Sequence, residues 1–385
     1  MKKRLTKILS LLVVGAMTAA TFVGCGSTGK EADGGSSDGA KIGVLVADVS
    51  GEEAQGFRNY YEKYIAENYD VEFTYTDALE SAEDEKAAIE KFASQGCDAI
   101  ISLSSSDRAQ QIETCEKYGV YYAIASGVLD SEQYETYKGY EHFVGQVGPS
   151  NETEFEAGKE MGEYFKKQGT KSVAIYGAFI PNPMHVYRAA GVLVGLGCTY
   201  GGASDMDAIV GQIFADQGIT LSKVAGDTQV VAYLQGYGDT TTDELNAAIQ
   251  KNPEAFISVG MATTFFTQTL NEAGIQFSDI DSFTEANGAA IKDGKLVYLA
   301  GKYSSSIGPV FALVMNAING NVIRDEDGNA VSVSQGYLVA TDADSFDSFY
   351  LSDKGTNPIF SKDVLDTVIG DDVTFADVKA LIESK

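Results

Sequence analysis

Residues 96–127 read GCDAIISLSSSDRAQQIETCEKYGVYYAIASG. Residues 99–103 form a short apolar run containing two isoleucines, the pattern of a strand buried on both faces. Three serines then break the run. Asp107 supplies a side-chain acceptor at the position that caps a helix. The helix runs to Tyr118 and meets Gly119, the residue that most readily takes the left-handed turn ending a helix. Residues 120–125 form a second apolar strand. Two buried strands joined by one helix pair in parallel, and the crossover is right-handed. The stretch therefore predicts one βαβ unit of a parallel sheet with helices on its faces.

The same alternation extends in both directions. Towards the N-terminus it predicts strands over 41–47 and 71–76. It also predicts helices over 51–68 and 81–95, the second capped by Ser81 with Asp84 at the capping-box position. Phe57, Tyr60, Tyr61, Tyr64 and Ile65 recur at helical spacing, so the tyrosine run reads as core and helix surface. The pattern resets at 143–147 with a strand that leads into a helix over 151–167. Strands follow over 172–176, 230–234, 255–259, 280–283 and 296–299. The helices between and after them cover 184–196, 242–251, 263–273 and 307–319. A last helix over 374–384 is capped by Thr374. Residues 199–227 carry no clear period and read as an insertion.

The fold class is α/β, with two similar Rossmann-like lobes whose parallel sheets are joined by a multi-strand hinge. We expect the first lobe over 41–146 plus about 301–322, and the second over 147–300 plus about 323–385. The hinge is expected near 144–148, near 300–303 and at a third point after 319. Ligands of such sheets bind outside the carboxyl ends of the strands, so the loops after each strand are the ones to read for function.

The start of the chain reads as an address. Lys2, Lys3, Arg4 and Lys7 precede a short apolar stretch that turns rich in small residues, the form of a secretory leader over 1–24. Phe22-Val23-Gly24-Cys25 resembles a bacterial lipobox, which implies lipidation of Cys25. After Cys25, residues 26–40 are Gly, Ser, Ala and charged residues apart from Thr28, so 25–40 reads as a tether that cannot bury a core. Leader, lipid and tether predict an extracytoplasmic protein anchored to the cell membrane. Cys97, Cys115 and Cys198 remain, and a disulfide among them is left open.

Composition excludes several classes. The chain has 385 residues with 28 Lys+Arg against 55 Asp+Glu, a net charge of −27 that argues against nucleic-acid binding. With two His and four Cys at wide spacing, no metal site and no cofactor is expected. Walker A and H-E-x-x-H motifs are absent. Gly195, Gly197 and Gly201 follow a helix rather than a strand, at the wrong spacing for a dinucleotide loop. His142 and His185 fall in no triad pattern, so an enzyme is not expected.

The ordered set of segments resembles the type I periplasmic binding proteins, in particular the sugar-binding components of ABC importers, over roughly 41–321. GCDAIISLSSSD (96–107) resembles the family's G-x-D-[AG]-I-I strand and loop. YGVYYAIASG (118–127) resembles its next strand. HVYRAAGVLVGL (185–196) resembles its R-x-x-G-F-x-x-G-L helix. NPEAFISVGMATTFFTQTLNEAG (252–274) and AAIKDGKLVYLAGKY (289–303) resemble two later segments. Ser126-Gly127 stands where the family often has Asp-Arg, so the carboxylate–guanidinium pair that clamps sugar hydroxyls in the upper lobe is expected to be missing.

The resemblance implies a monomer whose two lobes close over a small-molecule ligand and present it to a membrane permease. The ligand it implies is a sugar, with a nucleoside as the alternative. A sensor feeding a membrane receptor is the alternative role. Carried over residue by residue, it implies that Arg188 contacts the ligand, with His185 one turn earlier beside it. Tyr237 and Glu285 hold positions where the family often has an aromatic residue and an acid. Asp48, Ser50 and Gln55 come from the loop after the first strand. Ser104, Ser126 and Tyr303 complete the candidates.

Overall fold

The computed structural model describes residues 39–177, 183–236, 240–354 and 357–385. The apolar runs of the first half become β1 (Ala40–Val46), β2 (Val71–Tyr75), β3 (Ala99–Leu103), β4 (Tyr121–Ala125) and β5 (Phe143–Gly148). They form a parallel sheet in the order β2-β1-β3-β4-β5. Both faces are covered, which is why these strands carry continuous apolar runs. Leu45, Ile100 and Ile124 pack against the helices Ala82–Ser94 and Arg108–Tyr118. Val44, Ile101 and Ala123 pack on the opposite face with Phe311 and Val314 of the helix Gly308–Ile318.

Local signals end these elements as expected. Asp107 accepts the Gln110 amide, and Gly119 turns left-handed at φ 67°. Ser81 accepts the Asp84 amide. The helix starting at Glu52 widens to a π-helical segment over Tyr60–Ile65. There Tyr60 and Tyr61 donate to the carbonyls of Phe360 and Ile307, at 2.6 and 2.8 Å.

The second half builds a second sheet. β6 (Ser172–Tyr176) is followed by a small antiparallel hairpin, β7 (Cys198–Tyr200) with β8 (Val224–Gly226). That hairpin and the helix Met206–Asp216 account for the unreadable 199–227 segment. β9 (Gln229–Leu234), β10 (Ala255–Ser258), β11 (Gln276–Ser282) and β12 (Leu296–Lys302) then join β6 in the parallel order β9-β6-β10-β11-β12. The helix expected over 263–273 is broken into Ala262–Phe265 and Thr267–Ala273 around the buried Phe266.

The C-terminal partition differs from expectation. β13 (Val331–Ser334) pairs in parallel with β5, and so belongs to the first lobe. β14 (Leu338–Ala340) adds an antiparallel edge to β12 of the second. The helix Lys362–Leu365 packs on the helix Gly308–Ile318, and Phe375–Glu383 packs on β13, again in the first lobe. Residues 323–385 are therefore shared between lobes, because the sheet edges beside β5 and β12 both needed a partner. The chain crosses between lobes after β5, after β12 and between β13 and β14.

Two helices of the second lobe meet backbone to backbone. A Cβ on Gly191 would fall on the Phe155 carbonyl oxygen, and one on Gly158 on that of Arg188. This contact fixes the helix that leaves the hinge, Asn151–Gln168, against the helix Pro183–Gly195. The three remaining cysteines are unpaired, with Cys115 and Cys198 buried. No described helix is long and apolar enough to cross a membrane.

Candidate functional site

The carboxyl ends of the first sheet open onto a cleft of about 1210 Å³. Its upper wall is made of strand ends and the loops after them: Val46 to Asp48, Leu103 and Ser105, Ser126 to Leu129 and Gln146. The hinge supplies Ser150, Asn151 and Glu152. The lower wall comes from Met184 and Tyr187 on the helix Pro183–Gly195, with Phe214 and Lys302. Met184 and Phe214 are exposed there, 38% and 40%. Hydroxyls, amides and carboxylates on one side thus face an apolar and aromatic strip on the other, the composition of a site for a polar ligand with a C–H face.

The loop after β4 is held in place from below. The Gln146 carbonyl oxygen accepts the Leu129 amide at 2.8 Å, and its NH₂ donates to Ser332 Oγ at 2.9 Å. One side chain so ties the loop to β5 and β13. Ser126 begins that loop with φ 58°, a left-handed backbone on a residue other than glycine. Arg108, the first residue of its helix, also lines the cleft and donates from Nη1 to the Val128 carbonyl at 2.8 Å. Its Nη2 lies 2.7 Å from where a Cβ on Gly127 would stand. Where the resemblance left Ser126-Gly127 in place of an Asp-Arg pair, a guanidinium from a neighbouring helix reaches the same loop.

Asp48 and Ser126 are the two described candidates that line the cleft. Asp48 accepts from the Ser50 amide and hydroxyl and from the Gly51 amide, at 2.9, 3.0 and 3.0 Å. These bonds, the Ser50 amide first, hold its carboxyl below the usual range. Ser50 is consumed by that loop, and Gln55 donates to the Val49 carbonyl in the same turn. Ser104 is buried with its hydroxyl on Glu85, and it is Ser105 that reaches the cleft. Tyr303 is buried, accepts from Gln335 Nε2 at 3.3 Å and stacks on Phe360. Glu285 is exposed away from the cleft and gives its backbone amide to Glu52. Tyr237 lies outside the described residues, as does Cys25.

The largest correction concerns Arg188. It is 3% exposed and sits behind the cleft wall. Nε and Nη2 grip the two oxygens of Glu154 at 2.6 and 3.2 Å. Nη1 donates to the Val259 carbonyl at 2.8 Å, and Nη2 also reaches the Tyr337 hydroxyl at 2.7 Å. Tyr337 in turn donates to Glu154 at 2.9 Å. The guanidinium therefore ties the hinge helix to the end of β10 and to the crossing between β13 and β14. His185 is buried beside it, and burial first, then the charges of Arg188 and Lys302, pull its pKa down to about 3.

A bridge connects the lobes at one side of the cleft. Glu53, on the helix after β1, accepts the Ser282 hydroxyl and lies 3.8 Å from Lys302 Nζ. Glu52 pairs with Lys354 at 3.3 Å and accepts the Glu285 amide at 3.1 Å. Away from the cleft, Glu116, Glu141 and His142 bring three ligand atoms within 4.8 Å of one another. Arg324 also donates to the backbone carbonyl of Glu141 at 2.6 Å, so a cation already occupies that surroundings.

No protein-family model and no curated protein matches the chain. Solved structures do. One is the periplasmic binding protein component of the arabinose ABC transporter from Shewanella sp. ANA-3, at 16% identity and TM-score 0.57, covering 82% of this chain and 96% of that one. Another is an ABC transporter periplasmic solute binding protein from Actinobacillus succinogenes 130z with bound D-allose, at 18% identity and TM-score 0.59, covering 80% of this chain and 100% of that one. A third is an ABC transporter solute binding protein from Bacillus halodurans C-125 with bound myo-inositol, at 17% identity and TM-score 0.56, covering 82% and 98%. This chain has the two-lobed fold of the periplasmic solute-binding proteins.

Proposed function

We propose that the chain is an exported, lipid-anchored solute-binding protein that captures a small polar ligand, a sugar or sugar derivative, between its lobes and passes it to a membrane permease. The observation that carries this reading is the interlobe cleft. Strand ends and hinge residues line it with hydroxyl, amide and carboxylate groups, and three chain crossings let the lobes move as bodies. Structures of the same fold hold arabinofuranose, allose and myo-inositol, which supports a polyhydroxylated ligand. In this reading the ligand is returned unchanged, and no cofactor takes part.

A thermal-shift screen against sugars, polyols, sugar acids, nucleosides and amino acids tests it. A ligand bound only by the native state adds about 2.7 kcal/mol at 100 times its dissociation constant, which a melting curve resolves. Stabilisation by one chemical class, with the compound recovered intact by mass spectrometry, is expected. Turnover of the compound overturns the binding reading. Cys25→Ala is expected to release the protein from the membrane fraction, and retention after leader cleavage contradicts the anchor.

A further inference from the structure

Among the described residues, the cleft contains one cation with no acid partner. Arg108 opens the helix Arg108–Tyr118, where the positive helix end works against a positive side chain. A guanidinium has five N–H donors. Among the described residues one of them, on Nη1, finds an acceptor, the Val128 carbonyl, while Nε is buried with none. Arg108 forms no ion pair among the described residues, in contrast to Arg188, which is clamped by Glu154. Glu85 is the acid whose charge reaches Arg108, and its oxygens are taken by Ser104 Oγ, the Ser106 amide and the Asp107 amide. Burial opposes the charge on Arg108. Gly127 leaves the guanidinium uncovered on its side, since any side chain there would meet Nη2.

We propose that Arg108 is the counter-ion for a carboxylate carried by the ligand, so that the captured solute is an acid rather than a neutral sugar. This rests on the solute-capture reading above and deepens it. A guanidinium and a carboxylate match as planar two-point partners. The rest of the wall sets the ligand's remaining chemistry. Asp48, Glu53, Asp130, Glu135 and Glu152 face the cleft, and the other cation, Lys302, is already beside Glu53. A phosphate monoester, with about twice the charge of a carboxylate near neutral pH, would be repelled more strongly by that wall. A single carboxylate at Arg108, with hydrogen-bond donors turned to the acids, satisfies both sides. Those donors are hydroxyls in a sugar acid and an ammonium in an amino acid.

The test is calorimetric titration of the purified protein with matched pairs that differ at the carboxylate. The pairs are D-galacturonate with D-galactose, D-gluconate with D-glucitol, and L-alanine or L-leucine with its amide. One acid is expected to bind at least tenfold more tightly than its neutral partner, and the pair that responds identifies the source of the carboxylate. Arg108→Gln is expected to erase that difference, and Arg108→Lys to keep part of it. Should Arg108→Gln fail to fold, the acid-to-neutral ratio in the parent still decides. A neutral partner that binds as tightly as its acid overturns the carboxylate assignment and leaves solute capture standing. An acid preference that survives in folded Arg108→Gln overturns the role of Arg108. Absence of binding across all pairs overturns both readings.

Discussion

Arg108 opens its helix and Arg188 lies in the second turn of another, and the family resemblance pointed to Arg188. The structure separates them by what surrounds each guanidinium. The partners of Arg188 come from 34, 71 and 149 residues away, so no local pattern could announce that its donors were filled. Arg108 carried a weak signal, a cation directly after a helix cap, where the helix end disfavours it. Asp48 and Ser126 were legible because loops after parallel strands face the cleft by topology. Ser104 and Ser105 show the limit: a one-residue step exchanges wall for core. Arg188→Ala should behave as a stability mutant. Leaving Glu154 buried without its partner costs about 3–5 kcal/mol, read from a urea midpoint. An unchanged midpoint with lost ligand affinity would return Arg188 to the ligand. His185, with its pKa pulled down to about 3, stays neutral in the folded protein while the unfolded chain takes a proton below about 6.5. The unfolded state then binds more protons, so stability falls as pH drops from about 6.5 towards 3, by up to about 1.4 kcal/mol per unit. His185→Gln should flatten that part of the pH–stability curve relative to the parent. An identical slope in both proteins contradicts the assignment. Asp279 is held towards its neutral form by burial and the charge of Asp281, an opposite pH trend that cancels in the parent–variant difference.

At the scale of elements, the strands of the two sheet centres were readable because burial on both faces leaves continuous apolar runs such as Ile100-Ile101 and Ile257. The edges were not. β13 reads Val-Ser-Val-Ser and alternates buried with exposed, and β14 is three residues long, so neither stands out from a loop. The hairpin of β7 and β8 escaped for the same reason. Those short edge strands decide which lobe receives the C-terminal chain, and that is where the expected partition failed. The helix pair Asn151–Gln168 and Pro183–Gly195 makes a sharper prediction. Gly191→Ala places a methyl group on the Phe155 carbonyl oxygen, and the helices cannot separate without shifting Arg188 from Glu154. A loss of about 1–3 kcal/mol or more is expected from overpacking against backbone, measured by chemical unfolding. A neutral substitution would mean the helices tolerate separation.

For the whole molecule, capture between the lobes requires that they move about three crossings and are biased by contacts across the cleft edge. Glu52 and Glu53 supply the described ion pairs of that edge, to Lys354 and Lys302. Each is a partly exposed pair worth about 0–1 kcal/mol, so global stability should scarcely change on their removal. Glu52→Gln with Glu53→Gln should instead widen the ligand-free molecule, seen as a larger radius of gyration by small-angle scattering. An unchanged radius would show that these carboxylates do not hold the lobes. The most direct test of the central claim is hydrogen–deuterium exchange with and without the ligand found by screening. Protection is expected together in 46–54, 103–108 and 126–135 of the first lobe, in 149–154 at the hinge and in 183–187 of the second. Protection confined to one lobe, or falling away from these segments, would contradict capture of the solute between the lobes.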